Sequence, residues 1–212
     1  MAQVLIFGLN EMAELAHYYF TNDSEHEVVG FTVHKKYKDK ETFCDLPVIP
    51  FEETNKNLSL FAPLYSNKMN KLREKVYLES KNLGFNFVSY VSSKALTWNC
   101  EIGENCFIFE GVNLQPFTKV GNNVIIWSFS HLGHHSTIED NVFVSGNVVI
   151  SGKCRIGRNS FLGTNCTIRD GLIIGEGTLV GQDASIVKDT EPWGVYCGLP
   201  GRKVDENSLG RM

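Results

Sequence analysis

The sequence predicts a mainly β protein: a three-sided parallel β-helix preceded by a small α/β domain. Three observations carry this. From Leu96 an aliphatic residue stands at every sixth position as far as Ile186, sixteen in register, among them Ile102, Ile108, Leu114, Ile126, Leu132, Ile150 and Ile168. Four positions after each comes a small or aliphatic residue, such as Cys106, Val112, Ser130, Cys154 or Ala184. Glycine often follows the aliphatic residue directly, as at Gly103, Gly121, Gly133, Gly157 and Gly181. A period of six fits neither a helix of about 3.6 residues per turn nor simple strand alternation. It is the pattern of short strands joined by corners and stacked into coils. The aliphatic residue then points into a prism, the small one fills the remaining space, and glycine serves the tight corner. Three hexapeptides close a coil, so each residue lies over the one eighteen positions later. An ordinary sandwich of short strands would not hold sixteen positions in phase.

Residues 1–91 lack this period and read as a separate domain, followed by the coils over 92–190 and a tail over 191–212. Val4–Phe7 reads as a buried strand and Met12–Phe20 as a helix, with Met12, Leu15, Ala16 and Tyr19 on one face. Glu27–Phe31 is expected as a second strand. Leu46–Pro50 is a short extended piece, and Leu58–Tyr65 holds a strand that Pro63 ends early. A helix over Asn67–Asn82 stops at Gly84, and Phe85–Val91 is the last strand. Alternation of strands and helices implies a small parallel sheet with Rossmann-like connections. A ligand would then lie at the carboxyl ends of the strands, at Gly8, Leu9 and Asn10 and at Thr32, Val33 and His34. A dinucleotide fingerprint needs three glycines, and Gly8 stands alone. No acidic residue follows the second strand to hold a ribose, so NAD is not expected.

Composition excludes several classes. The chain has 212 residues, 42% apolar and 21% charged, with a formal net charge of -4. Nothing in this balance suggests a nucleic-acid surface, and no apolar run is long enough to span a bilayer. The start of the chain does not read as a signal peptide. Four of the six cysteines, Cys100, Cys106, Cys154 and Cys166, occupy the small slot of the repeat, where a thiol acts as a small hydrophobe. There is no CxxC pair, and a cytoplasmic setting is expected.

Chemistry is expected near His131, His134, His135, Glu139 and Asp140. Three of the chain's six histidines fall here within five residues. His134 sits two residues after Leu132, near a corner, and Gly152 lies eighteen positions on. A histidine facing a glycine leaves room for an acyl donor and acceptor to meet. His134 would act as general base, since imidazole titrates near neutrality, and the Gly152 N–H would hold an oxyanion. A solvated corner, a subunit contact and a metal site are the competing readings. For the metal, neighbours at 134 and 135 on an extended strand point to opposite sides, which is poor geometry, and no metal is expected. Trp127 follows the inward Ile126 and is expected to point outward, toward a subunit interface or a substrate cleft.

The chain resembles the sugar O-acyltransferase and sialic acid O-acetyltransferase family, within the left-handed β-helix acyltransferases, and is similar to nucleotide-sugar N-acetyltransferases. The resemblance rests on Val4-Leu5-Ile6-Phe7-Gly8, Gly30-Phe31-Thr32-Val33, Leu46–Phe51, Tyr65–Arg73, His131-Leu132-Gly133-His134-His135-Ser136 and Gly198-Leu199-Pro200-Gly201-Arg202. It implies a left-handed β-helix, a cytoplasmic homotrimer, and acetyl-CoA as co-substrate in the groove between adjacent β-helices. It implies N-acetylation of a nucleotide-linked amino sugar for bacterial glycans such as lipopolysaccharide O-antigen. In that reading His134 is the base, Gly152, Phe143, Pro200 and Arg202 line the acetyl-CoA site, and the N-terminal domain holds the nucleotide. Many relatives carry an acidic residue directly after the base, whereas this chain has His135. Relatives that bind uridine carry acids after the second strand, so a uridine, thymidine or guanosine sugar is open. O-acetylation of a sugar hydroxyl is the alternative, and a histidine–metal lyase or hydratase on the same coils stands behind it.

Overall fold

The computed structural model describes residues 1–65, 68–205 and 207. The N-terminal region is one sheet with two helices. Its elements are β1 (Gln3–Phe7), α1 (Glu11–Asp23), β2 (Glu27–Val33), β3 (Thr42–Phe43), β4 (Leu46–Pro50), β5 (Ser59–Phe61), α2 (Lys71–Asn82) and β6 (Asn86–Phe87). The strand order is β3-β4-β2-β1-β5-β6, parallel throughout except for the β3–β4 pair. Val4, Leu5 and Ile6 are wholly buried because the strand is covered on both faces. Asn10 caps α1 through its side chain, which accepts from the Ala13 N–H at 3.2 Å. The expected start of the second helix, Asn67, lies outside the described residues, as do 206 and 208–212 of the tail. The helix itself begins at Lys71, after Lys68, Met69 and Asn70, which all have positive φ.

The expected last strand is split. Asn86–Phe87 closes the N-terminal sheet, while Tyr90–Val91 pairs with Phe107–Ile108 and opens the first coil. From there three parallel sheets stack, one per side of the prism, with an eighteen-residue step such as Ile108 over Ile126, Leu132 over Ile150 and Ile138 over Ile156. The inward side chains, Ile108 through Ile186, form one buried cluster. Burial of each such side chain contributes roughly 1.5–3 kcal/mol. Cys106, Cys154 and Cys166 lie in this interior, and burial pushes the Cys106 and Cys166 thiols up to about 12.

Two expectations are corrected here. Leu96 is not an inward residue: it pairs with Asn113, one short of the eighteen-residue step, and is 53% exposed. The glycines that follow the aliphatic residues do not make the left-handed corners. A Cβ at Gly133 would lie 2.5 Å from the Gly152 nitrogen, and one at Gly163 would lie 2.6 Å from the Gln182 nitrogen. Those glycines allow one coil to rest on the next. The left-handed corner is two residues further on, at every sixth position from Asn99 to Asp183, and asparagine is the commonest residue there, at seven of the fifteen. Asparagine tolerates this conformation better than other residues with a side chain.

The outward residues of one side, Phe107, Ile125 and Phe143, pack under the N-terminal sheet in a core shared with Val4, Ile6, Phe31 and Phe61. Arg73 of α2 is fully buried at this junction. It donates to the carbonyls of Leu64 (3.3 Å), Asn141 (2.9 Å) and Val142 (3.2 Å). With no carboxylate bonded to it among the described residues, burial pushes its guanidinium down to about 9. No helix among the described residues is long and apolar enough to cross a membrane.

Candidate active site

His131–Leu132 is the strand before the corner that carries His134. The corner is held from both neighbouring coils. The His134 N–H donates to Gln115 Oε1 (2.9 Å) in the coil below, and the His134 carbonyl accepts from the Lys153 N–H (2.9 Å) above. The imidazole is exposed and lies against Gly152: a Cβ there would come within 2.8 Å of His134 Nε2. Any side chain at position 152 would therefore displace the ring. The Gly152 N–H has no acceptor among the described residues. A nitrogen base and an available amide donor thus stand together on an open corner.

His135 does not point away from His134. It takes the left-handed conformation (φ 59°), which swings its ring back, and the two Nδ1 atoms lie 3.1 Å apart. The His135 ring rests on Phe117 at 4.8 Å. His131 stays on the flat side, between Asn113 and Val149, and burial lowers its pKa. Glu139 and Asp140 belong to a different corner. Glu139 pairs with Arg155 (2.5 Å) and accepts from the Arg158 N–H, while Asp140 Oδ1 accepts from the Asn122 N–H at 2.7 Å. Both are bracing groups beside a groove of about 600 Å³ that also includes Glu101 and Lys119. Among the described residues no three His, Cys, Asp or Glu side chains form a metal-binding group.

Pro200 and Arg202 are exposed beyond the last coil, where the Gly201 N–H donates to the Ser185 carbonyl. Ser185 and His131 are on the same side, three coils apart. At about 4.8 Å per strand this separates the two ends by about 14 Å. Phe143 is not among them. It is 7% exposed, stacked on Phe161 and covered by Arg73 at 5.8 Å, because the N-terminal domain sits on that side.

At the other end, Gly8 (φ 123°) donates its N–H to the Thr32 carbonyl, joining the carboxyl ends of β1 and β2. Leu9 is partly buried, and Asn10 is committed to its cap. Thr32 and Val33 are buried, so of the second trio only His34 offers a side chain. Sequence reasoning saw no acid here, yet the fold brings two. Glu52, from the turn after β4, lies 3.1 Å from His34 Nδ1, and Glu79 of α2 lies 3.7 Å from Nε2. The Lys35 N–H holds the Glu52 carboxyl below the usual range. Trp127 lies against the same chain: it stacks on Phe109 at 4.3 Å and lines a cavity of about 410 Å³ with Glu11, Glu14, Tyr18 and Tyr65.

The coils define a hexapeptide β-helix with a histidine pair on one open corner. Residues 99–134, 117–152 and 135–170 match the family described as bacterial transferase hexapeptide (six repeats). No curated protein matches the chain. Solved structures share the whole architecture. The acetyltransferase domain of PglB from Neisseria gonorrhoeae FA1090 is 18% identical, with a TM-score of 0.83 over 96% of this chain and 100% of that one. A mutant of perosamine N-acetyltransferase from Caulobacter crescentus, in complex with CoA and GDP-perosamine, is 19% identical, with a TM-score of 0.82 over 97% and 98%. WeeI from Acinetobacter baumannii AYE is 19% identical, with a TM-score of 0.81 over 96% and 100%.

Proposed function

We propose that this chain is an acetyl-CoA-dependent N-acetyltransferase that acts on a nucleotide-linked amino sugar. The observation that carries this is the His134 imidazole set against Gly152 on an exposed corner of transferase hexapeptides. The neutral amine attacks the thioester carbonyl and a C–N bond forms. The amine proton passes to His134 Nε2 while the Gly152 N–H donates to the developing oxyanion. Collapse breaks the C–S bond, and the CoA thiolate leaves and takes up a proton.

Acetyl-CoA as the elongated co-substrate is supported by the spacing of about 14 Å between His134 and the Pro200–Arg202 end. It is also supported by the neighbouring fold solved with CoA and GDP-perosamine. The N-terminal sheet serves as a Rossmann-like nucleotide site around Gly8, Leu9, Asn10 and His34, with the Trp127 cavity beside Glu11. A homotrimer is supported by the apolar residues left open beside His131: Leu96, Trp98, Phe117, Phe129 and Val149 are all exposed. The six unpaired cysteines fit the reducing cytoplasm.

Thiol release from acetyl-CoA, measured with uridine-, thymidine- and guanosine-linked 3- and 4-amino sugars and their hydroxyl counterparts, tests the proposal. Fast release with one amino sugar and little with its hydroxyl analogue is expected. Release only with a hydroxyl acceptor would reassign the chain to O-acetyl transfer, and no release with any acceptor would sink the acetyltransferase reading.

A further inference from the structure

We infer that His135 positions His134 and relays its proton, doing with a second imidazole what an adjacent carboxylate would otherwise do. The inference rests on the base reading of His134. Two nitrogens at 3.1 Å share one proton: one Nδ1 carries hydrogen and the other accepts it. With the proton on His134 Nδ1, its Nε2 is left as the free lone pair beside Gly152. As the amine proton reaches His134 Nε2, the Nδ1 proton can cross to His135 Nδ1. The positive charge then rests on His135, whose own Nε2–H is lost to water, and His134 returns to its neutral form in the other tautomer. One proton enters and one leaves. A swap of tautomers by reversal through water resets the pair.

The surroundings favour this arrangement. Phe117, one coil below, is a bulky residue in the left-handed conformation (φ 70°), 57% exposed, and its ring supports the His135 ring. Such a conformation is rare for an aromatic residue and tends to persist where function requires it. The His135 N–H donates to the Pro116 carbonyl, so the backbone of the pair is tied on both sides. The groups that pack around the pair are Gln115, Pro116 and Phe117 from below and Gly152 and Lys153 from above. His131 stands on the same rung. Of these only Lys153 carries a fixed charge, and among the described residues no carboxylate bonds to either ring. A proton already on Nε2 of His134 would fill the lone pair that the amine proton must reach and so block the transfer.

The test is steady-state kinetics on the full chain, with kcat, KM for acetyl-CoA and the pH profile of kcat/KM. His135→Leu should lower kcat by roughly 10- to 100-fold with KM within about twofold. His135→Asn suits the left-handed corner and keeps an acceptor, so it should recover kcat to within about fivefold of the parent. His135→Asp should restore kcat and move the acid limb to higher pH, because a carboxylate favours the imidazolium. An unchanged kcat and acid limb in His135→Leu would overturn the inference. So would a folded His135→Asp as impaired as the leucine variant, since a group at 135 that both accepts the hydrogen bond and takes up the proton would then bring nothing back. If His134→Ala keeps full activity, the base reading itself fails. If that variant is dead and His135→Leu keeps the parent kcat, only the relay falls.

Discussion

Two columns of corner residues share one backbone conformation and differ in everything else. Asn105, Asn123, Asn141 and Asn159 run up the prism beneath the N-terminal domain, all buried, all with φ between 54° and 64°. Their side chains bond along the column, Asn105 to Asn123 and Asn123 to Asn141, each at 2.7 Å. The other column, Asn99, Phe117, His135, Lys153 and Gly171, has the same handedness but is built from five different residue types. Where a corner has only to turn and be satisfied, asparagine suffices, because its side chain tolerates the left-handed region and supplies both a donor and an acceptor. In the column beside the proposed base, the residues depart from that solution.

Changes in the two columns should therefore separate activity from stability. The largest effect is expected at the reacting corner: His134→Ala should lower kcat by about 100-fold or more, roughly 2.7 kcal/mol of barrier, with an unchanged urea midpoint. Asn123→Ala should do the reverse. It strands a buried donor on Asn105 and a buried acceptor on Asn141, and should cost about 3 kcal/mol by urea unfolding while kcat per folded molecule holds. A fall in kcat with full stability in Asn123→Ala would break the division. Phe117→Asn sharpens it further. Restoring asparagine to the exposed column should stabilise the chain by about 1 kcal/mol and slow turnover severalfold as the His135 ring loses its support. The smallest effect concerns the junction of the two regions. Asp23 of α1 accepts from the Ser93 N–H and the Tyr90 and Ser92 hydroxyls, and these hold its carboxyl down at about 2. A depressed carboxylate contributes stability above its unfolded value of about 3.9 and loses it as pH falls through the folded value. Unfolding monitored between pH 4 and pH 2 should show less acid sensitivity in Asp23→Asn than in the parent.

The six-residue period made the coils legible, because an inward aliphatic residue is a local requirement repeated without interruption. His134 and Gly152 were legible for the same reason: the eighteen-residue step turns sequence distance into contact. The corner chemistry was only half readable. Glycine next to the aliphatic residue suggested the turn, whereas the asparagine two positions later makes it, and the glycine answers to the coil above. Strand alternation placed His135 opposite His134, and the positive φ reversed that. Leu96 kept the period but lost the register at the first coil. Glu139 and Asp140 looked close to the histidines in the chain, yet a side of the prism separates them. Glu52 and Phe143 depended on how the N-terminal domain folds and docks, which no local pattern carries.

Because every coil adds eighteen residues and one strand spacing of about 4.8 Å, the prism is graduated like a ruler. His131 and Ser185, whose carbonyl holds Gly201, stand three graduations apart, a spacing set by how many hexapeptides lie between them. Excising one complete coil would keep the interior in phase and bring the two ends nearer by one mark. On the reading proposed above, the reach of the enzyme along its co-substrate is thus written as a count of repeats, adjustable in discrete steps while the corner that does the chemistry stays as it is.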